Sequence, residues 1–314
     1  MKNDYEFFHD IVEAMERKMD AKLKKHNTEK EMSHNPSSDE LPEQRKLQEK
    51  DALTILAYLN SLKKDPPIRP RTVHFSKEIK ENEKLFSDDL REKYNHIVNQ
   101  IKNGNQLTYH LSRTIFDGCF QDTLLNAWGI THIHLSSIDV SSKSGMKRNR
   151  SAYLLLCIIN ENDVYLIDVI KHPDKPEDFA CLDYLEIIYN NSWMNQIGYE
   201  KFNADKVSFT LNDILRDKIY DFIKCCNTAV GFNNEYFFPL AGVVSTGHSM
   251  MDVLLKNYFC SRIRNIRNNN STCEYIASDE SENNLGTING CRNDGTKYRY
   301  TISEYLTIID TTPS

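Results

Sequence analysis

The sequence predicts an α+β protein: a helical N-terminal half, then a small antiparallel sheet backed by helices in the C-terminal half. Three observations carry this. Up to Trp128, apolar residues recur mainly at three- and four-residue intervals. From Ile130 the pattern turns to strict alternation and to continuous apolar runs of strand length. Two of those runs are joined by Asn160-Glu161-Asn162-Asp163, a short hairpin turn. The 314 residues suit two domains. The expected division is a helical region 1–75 with a linker at 33–42, and an α+β core 76–314 that carries the candidate site.

In chain order, Phe8, Ile11, Val12, Met15, Met19 and Leu23 form one helical stripe. A polar segment with Pro36 and Pro42 follows as the linker. Leu47, Leu53, Leu56, Leu59 and Leu62 mark a second helix that stops before Pro66-Pro67, and Pro70 keeps the chain extended to about His74. Residues 76–102 are helical again, with Ser87 capping a fresh start and Asn103-Gly104-Asn105 ending it. Residues 107–116 and 122–128 read as two short helices. Ile130–Leu135, Ala152–Ile159 and Val164–Ile170 are strands, and 176–191 is a helix. Beyond Gly198 the expected elements are strands at 207–209, 236–238 and 298–309, helices at 211–226 and 249–258, and a loop or insertion at 278–297.

Composition narrows the class. With 39% hydrophobic and 10% aromatic residues, and only 11 Gly and 9 Pro, the chain is neither disordered nor fibrous. No apolar run approaches the ~20 residues that span a bilayer, so no membrane partner is expected. The N-terminus lacks the basic start and apolar stretch of a signal peptide. The eight cysteines form no CxxC pair, which suggests reduced, buried thiols in a cytoplasmic protein. A net charge of −6 argues against a protein coated with nucleic acid but leaves room for a local basic site.

The candidate chemistry starts with His132-Ile133-His134. Residues two apart on a strand share a face, so two imidazoles project side by side. They could serve as general base and acid, or as a metal pair whose third ligand is His172 or Asp168, or simply as half-buried histidines bonded to backbone. Next, Lys147, Arg148 and Arg150 follow Lys143 in a loop rich in serine and glycine, a reasonable phosphate clamp because guanidinium matches phosphate bidentately. Third, Lys171 and His172 stand where a strand ends, with Asp168 and Ile170 on one face and Val169 and Lys171 on the other. The Asp168–Lys171 spacing is one residue too long for the acid–spacer–lysine order of restriction-type metal nucleases. Gly247-His248-Ser249 lacks the closing glycine of a nucleophile elbow. Arg262, Arg264 and Arg267 read as a solvated face. No phosphate-binding loop or dinucleotide fingerprint is present, and no cofactor is expected.

Residues 150–182 resemble the last two strands of RelE-type ribonuclease toxins: an arginine-led strand from Arg148/Arg150, a turn at Asn162, a second strand to Ile170, then Lys171-His172. A longer similarity, over about 76–260, is to a bacterial family without an assigned activity. Its pattern is matched here by Asp122, Leu124-Leu125-Asn126, Trp128-Gly129-Ile130, His132 to Leu135, His172 and Trp193.

The resulting expectation is a metal-independent endoribonuclease acting on RNA as a toxin or abortive-infection (phage-defence) effector. His132 or His134 would be the base and His172 the acid, assisted by Lys171. Lys147, Arg148 and Arg150 would hold phosphate, Asp168 would orient a histidine, and no metal would be used. The alternatives are a non-enzymatic sensor or partner subunit of a defence complex, and a metal-dependent nuclease using His132, His134 and His172. The N-terminal stripe is expected to dock on a second copy or a cognate antitoxin.

Overall fold

The structure is a computed structural model that describes residues 4–25, 43–136, 138–139, 147–148, 152–202, 210–224, 226, 228–239, 242–244, 248–278, 284–292 and 294–312. In chain order the elements are α1 (Asp4–Lys25), α2 (Glu43–Lys64), β1 (Thr72–Phe75), α3 (Lys77–Asn82), α4 (Asp88–Asn103) and α5 (Thr123–Trp128). Then come β2 (Thr131–His134), β3 (Ile138–Asp139), β4 (Lys147–Arg148), β5 (Tyr153–Ile159), β6 (Asp163–Lys171), α6 (Asp183–Asn190) and β7 (Tyr199–Phe202). The last are α7 (Ile219–Ile223), β8 (Val230–Phe232), β9 (Glu235–Pro239), α8 (Met250–Asn268), β10 (Asn270–Ala277), β11 (Asn284–Arg292), β12 (Lys297–Ser303) and β13 (Ile308–Asp310). The α+β class holds. Among the described residues no helix is long and apolar enough to cross a membrane.

The chain divides into two compact units: Met1–Lys63, Phe116–Phe120 and Asp252–Ser314 form one, and Lys64–Ile115 with Gln121–Met251 the other. The helical residues up to 63 therefore group with the 252–314 segment, which the sequence reading had placed in the core domain. Asn60 shows why 116–120 joins them: its amide donates to the Gly118 and Phe120 carbonyls, both at 2.8 Å.

The second unit is built on a four-stranded sheet in the order β1-β6-β5-β2. The antiparallel β2–β5–β6 arrangement matches the sequence reading, but β1 adds to β6 in parallel, pairing Thr72 with Asp163 through to Phe75 with Leu166. Arg71 fixes this edge by donating to the Asn160 and Pro67 carbonyls at 3.0 and 2.9 Å. Leu154, Leu155, Leu156 and Cys157 are all fully buried, so β5 is covered on both faces. One face meets a core of Trp128, Ile130, Leu185, Ile188 and Phe237. Ser87 caps α4 by accepting from Leu90 N, and Gly104 ends that helix in the left-handed region at φ 67°. The expected helix over 211–226 is instead two 3-10 turns followed by α7, and 176–191 is a 3-10 turn followed by α6. The expected strand at 207–209 lies outside the described residues. A small antiparallel sheet, β7-β9-β8, completes this unit.

In the first unit the meander β10-β11-β12-β13 packs with α1, α2 and α8. The stripe expected to seek a second copy or an antitoxin is covered by this same chain. Ile11, Val12, Met15 and Met19 of that stripe, joined by Phe7, are buried against Tyr58, Phe259, Ile263, Leu285 and Ile288, and Phe8 is partly buried at the edge. The 278–297 loop is also corrected, because its middle, Asn284–Arg292, is strand β11. Gly286 and Gly290 are strand positions of close approach: a Cβ on Gly290 would lie 2.1 Å from the Thr272 carbonyl. Of the cysteines described, Cys157 is buried while Cys119 and Cys226 are exposed.

Gly104 and Gly129 give a paired test, since both have positive φ (67° and 71°) but only Gly104 is hemmed in. A Cβ there would meet Pro70 N at 2.3 Å, whereas nothing lies within 4 Å at Gly129. Gly129→Ala should cost about 1–2 kcal/mol from the left-handed backbone alone, and Gly104→Ala clearly more. Equal losses in urea unfolding would contradict the crowding at Gly104.

Candidate active site

Strand register builds the site. On β2, His132 stands opposite Leu156 and His134 opposite Leu154. On β5, Leu156 stands opposite Asp168 and Leu154 opposite Ile170. Paired residues share a face, so His132, His134, Asp168 and Ile170 all lie on one side of the sheet. Ile133 and Leu135, at 0% and 2% exposure, anchor β2 on the other side. Beyond the end of β6 the His172 N–H donates to the Ala152 carbonyl at 2.8 Å, which continues the ladder and brings His172 to the same rim.

The three imidazoles meet. Ring centroids are 5.9 Å apart for His132–His134 and 5.5 Å for His134–His172. Phe179, at the end of the 3-10 turn Pro176–Phe179, closes the group at 5.4 Å from His132 and 6.0 Å from His172. Behind them, buried His110 donates from Nδ1 to the His134 carbonyl at 3.3 Å.

Asp122 is the functional candidate that the site analysis of the sequence missed. It caps α5, with Oδ1 accepting from Leu125 N at 3.1 Å. Its Oδ2 lies 3.6 Å from His132 Nδ1, the two side chains being 14% and 16% exposed. That ring nitrogen is buried and has no hydrogen-bond partner among the described residues. A carboxylate oxygen at this distance favours the tautomer with its proton on Nδ1, which leaves the lone pair on Nε2. The available signal was an acidic helix cap one short helix and a glycine turn ahead of a histidine strand.

The other expected residues are placed differently. Asp168 accepts from Asn82 Nδ2 at 2.9 Å and from Val169 N at 2.8 Å, so Asn82 is its side-chain partner. Among the described residues the carboxylate beside a histidine ring is Asp122, whereas Asp168 is bonded to Asn82 of α3. Burial pushes the Asp168 carboxyl above its ordinary range, partly offset by those two hydrogen bonds. Lys171 is exposed and, by alternation, projects to the face opposite His172. Lys147 and Arg148 form β4, paired with Asp139 and Ile138. Their side chains, and Arg150 entirely, lie outside the described residues. Among the described residues no group of three His, Cys, Asp or Glu side chains is arranged to hold a metal ion. The chain matches no family model, no curated protein and no solved structure.

The Asp168 carboxyl gives a pH test. A raised folded value means that ionising this group costs the folded state stability above that value, and the cost disappears as pH falls below the unfolded value near about 4. Asp168→Asn keeps an acceptor for Asn82 and Val169 and removes the charge. Urea unfolding should show the variant at least as stable as wild type at pH 8, with any gain shrinking toward pH 4. A clear loss of stability at pH 8 would contradict the burial cost.

Proposed function

We propose that this protein is a metal-independent endoribonuclease, acting as a toxin or abortive-infection effector. The observation that carries the reading is the convergence of His132, His134 and His172 on one sheet rim, with Asp122 beside His132. RNA cleavage without metal needs a base for the 2′-hydroxyl proton and an acid for the departing 5′-oxygen, held on either side of one phosphate. His132, oriented by Asp122, takes the 2′-proton through Nε2. The 2′-oxygen attacks phosphorus, the bond to the 5′-oxygen breaks, and His172 at the exposed edge protonates the leaving oxygen. His134 sits between them, placed to donate to a non-bridging phosphate oxygen. Arg148 and Arg150, which precede β5 in the chain, supply the cations that offset the developing charge. The likeness of this hairpin to RelE-type toxins supports the cellular role.

Purified protein should cleave single-stranded RNA in EDTA. His132→Ala and His172→Ala should each slow cleavage about 100- to 10,000-fold, the usual contribution of general acid–base groups. Asp122→Asn, which keeps the helix cap, should slow it at least about tenfold. Retained cleavage in both histidine variants, with folding checked by circular dichroism, would overturn the reading.

A further inference from the structure

Helix α8 carries a second feature that the catalytic group does not use. One face is part of the core of its unit, through Phe259, Ile263 and Ile266 at 1%, 2% and 7% exposure. The opposite face presents Tyr258, 63% exposed, followed at helical spacing by Arg262 and Asn265, with Asn257, Ser261 and Arg264 in the next row. From Val253 to Cys273 the sequence has four cations and no acid, in a chain whose net charge is −6.

Among the described residues the two arginines of this face, Arg262 and Arg264, form no ion pair. Lys84, Lys93 and Lys224 each pair with an acid three or four residues away in the chain. Arg262 and Arg264 have no such partner among the described residues. Asp252, the acid of α8, is 8% exposed and already bound to Lys63 at 2.8 Å. Arg267 is different, since it sits 5.8 Å from the Phe7 ring.

We infer that this face of α8 is a docking surface for single-stranded RNA. The inference takes its ligand class from the ribonuclease reading above. Two guanidinium groups match backbone phosphates, Tyr258 offers a stacking face to one base, and the amide and hydroxyl side chains suit sugar and phosphate oxygens. The neighbouring Leu254 and Leu255, 55% and 40% exposed, would also suit a second copy of this chain, which the test separates.

The test uses the full chain carrying His132→Ala and a fluorescein-labelled 12-nucleotide RNA, with anisotropy followed over a range of NaCl concentrations. Removing both guanidinium groups (Arg262→Ala with Arg264→Ala) should flatten the log–log salt slope by about 1.4, from about 0.7 per phosphate contact. Tyr258→Leu should weaken binding about tenfold and Tyr258→Phe should leave it intact. Unchanged slope and affinity in these variants overturn the inference, as does a shift in sedimentation mass of the protein alone, which would mark a protein contact. If wild type fails to cut RNA yet binds it through α8, the ribonuclease reading fails and this surface stands. If it cuts RNA while the α8 variants bind normally, only this surface fails.

Discussion

Everything at the candidate site depends on the register between β2, β5 and β6. A strand's side chains alternate with period two, so a slip of one residue would exchange the imidazoles with Ile133 and Leu135. That exchange would put two buried aliphatic residues at the solvent rim and two polar rings in the core. Because β5 is apolar on both faces, its own pattern does not set the register; the neighbouring strands do. The irregularity between Leu156 and Cys157 shifts β6 by one residue in mid-strand. It keeps Asp168 and Ile170 on the histidine face while Leu166 remains opposite Cys157, fully buried.

Asp122 links this sheet to the helix before it. As a helix cap its side chain contributes about 1 kcal/mol by satisfying an otherwise orphaned N–H. The same anchoring fixes the second carboxylate oxygen 3.6 Å from His132 Nδ1, a buried ring nitrogen with no hydrogen-bond partner among the described residues. A single residue thus meets a local folding need and an electrostatic one. Gly129, left-handed at the end of α5, turns the chain so that β2 begins two residues later. The distance from cap to histidine is therefore set by a short, rigid stretch rather than by a long loop.

Local features were legible in the sequence because local rules govern them. The His132/His134 face, the hairpin at 160–163, the Ser87 cap and the Gly104 stop all rest on alternation, turn chemistry or capping within a few residues. The parallel addition of β1 was not legible, since four residues after a proline-rich stretch pair with a strand about ninety positions away. Strand β11 was hidden by its glycines, whose reason is the nearness of β10 and β12 rather than anything in their own segment. The covering of α1 was equally non-local. Its stripe is plain in the sequence, but the face that receives it comes from α2, α8 and the C-terminal meander. Asp122 was legible only as the start of a short helix, because nothing in its spacing reveals that one oxygen would cap that helix and the other would reach His132.

The chemistry of the RNA ends tests the central claim most directly. If the imidazoles at the sheet rim act as base and acid on the 2′-hydroxyl and the 5′-oxygen, mass spectrometry of RNA incubated in EDTA should show fragments ending in 2′,3′-cyclic phosphate and beginning with 5′-hydroxyl. Fragments beginning with 5′-phosphate would mean that water, not the 2′-oxygen, attacks phosphorus. That result, or RNA left intact, would contradict the account.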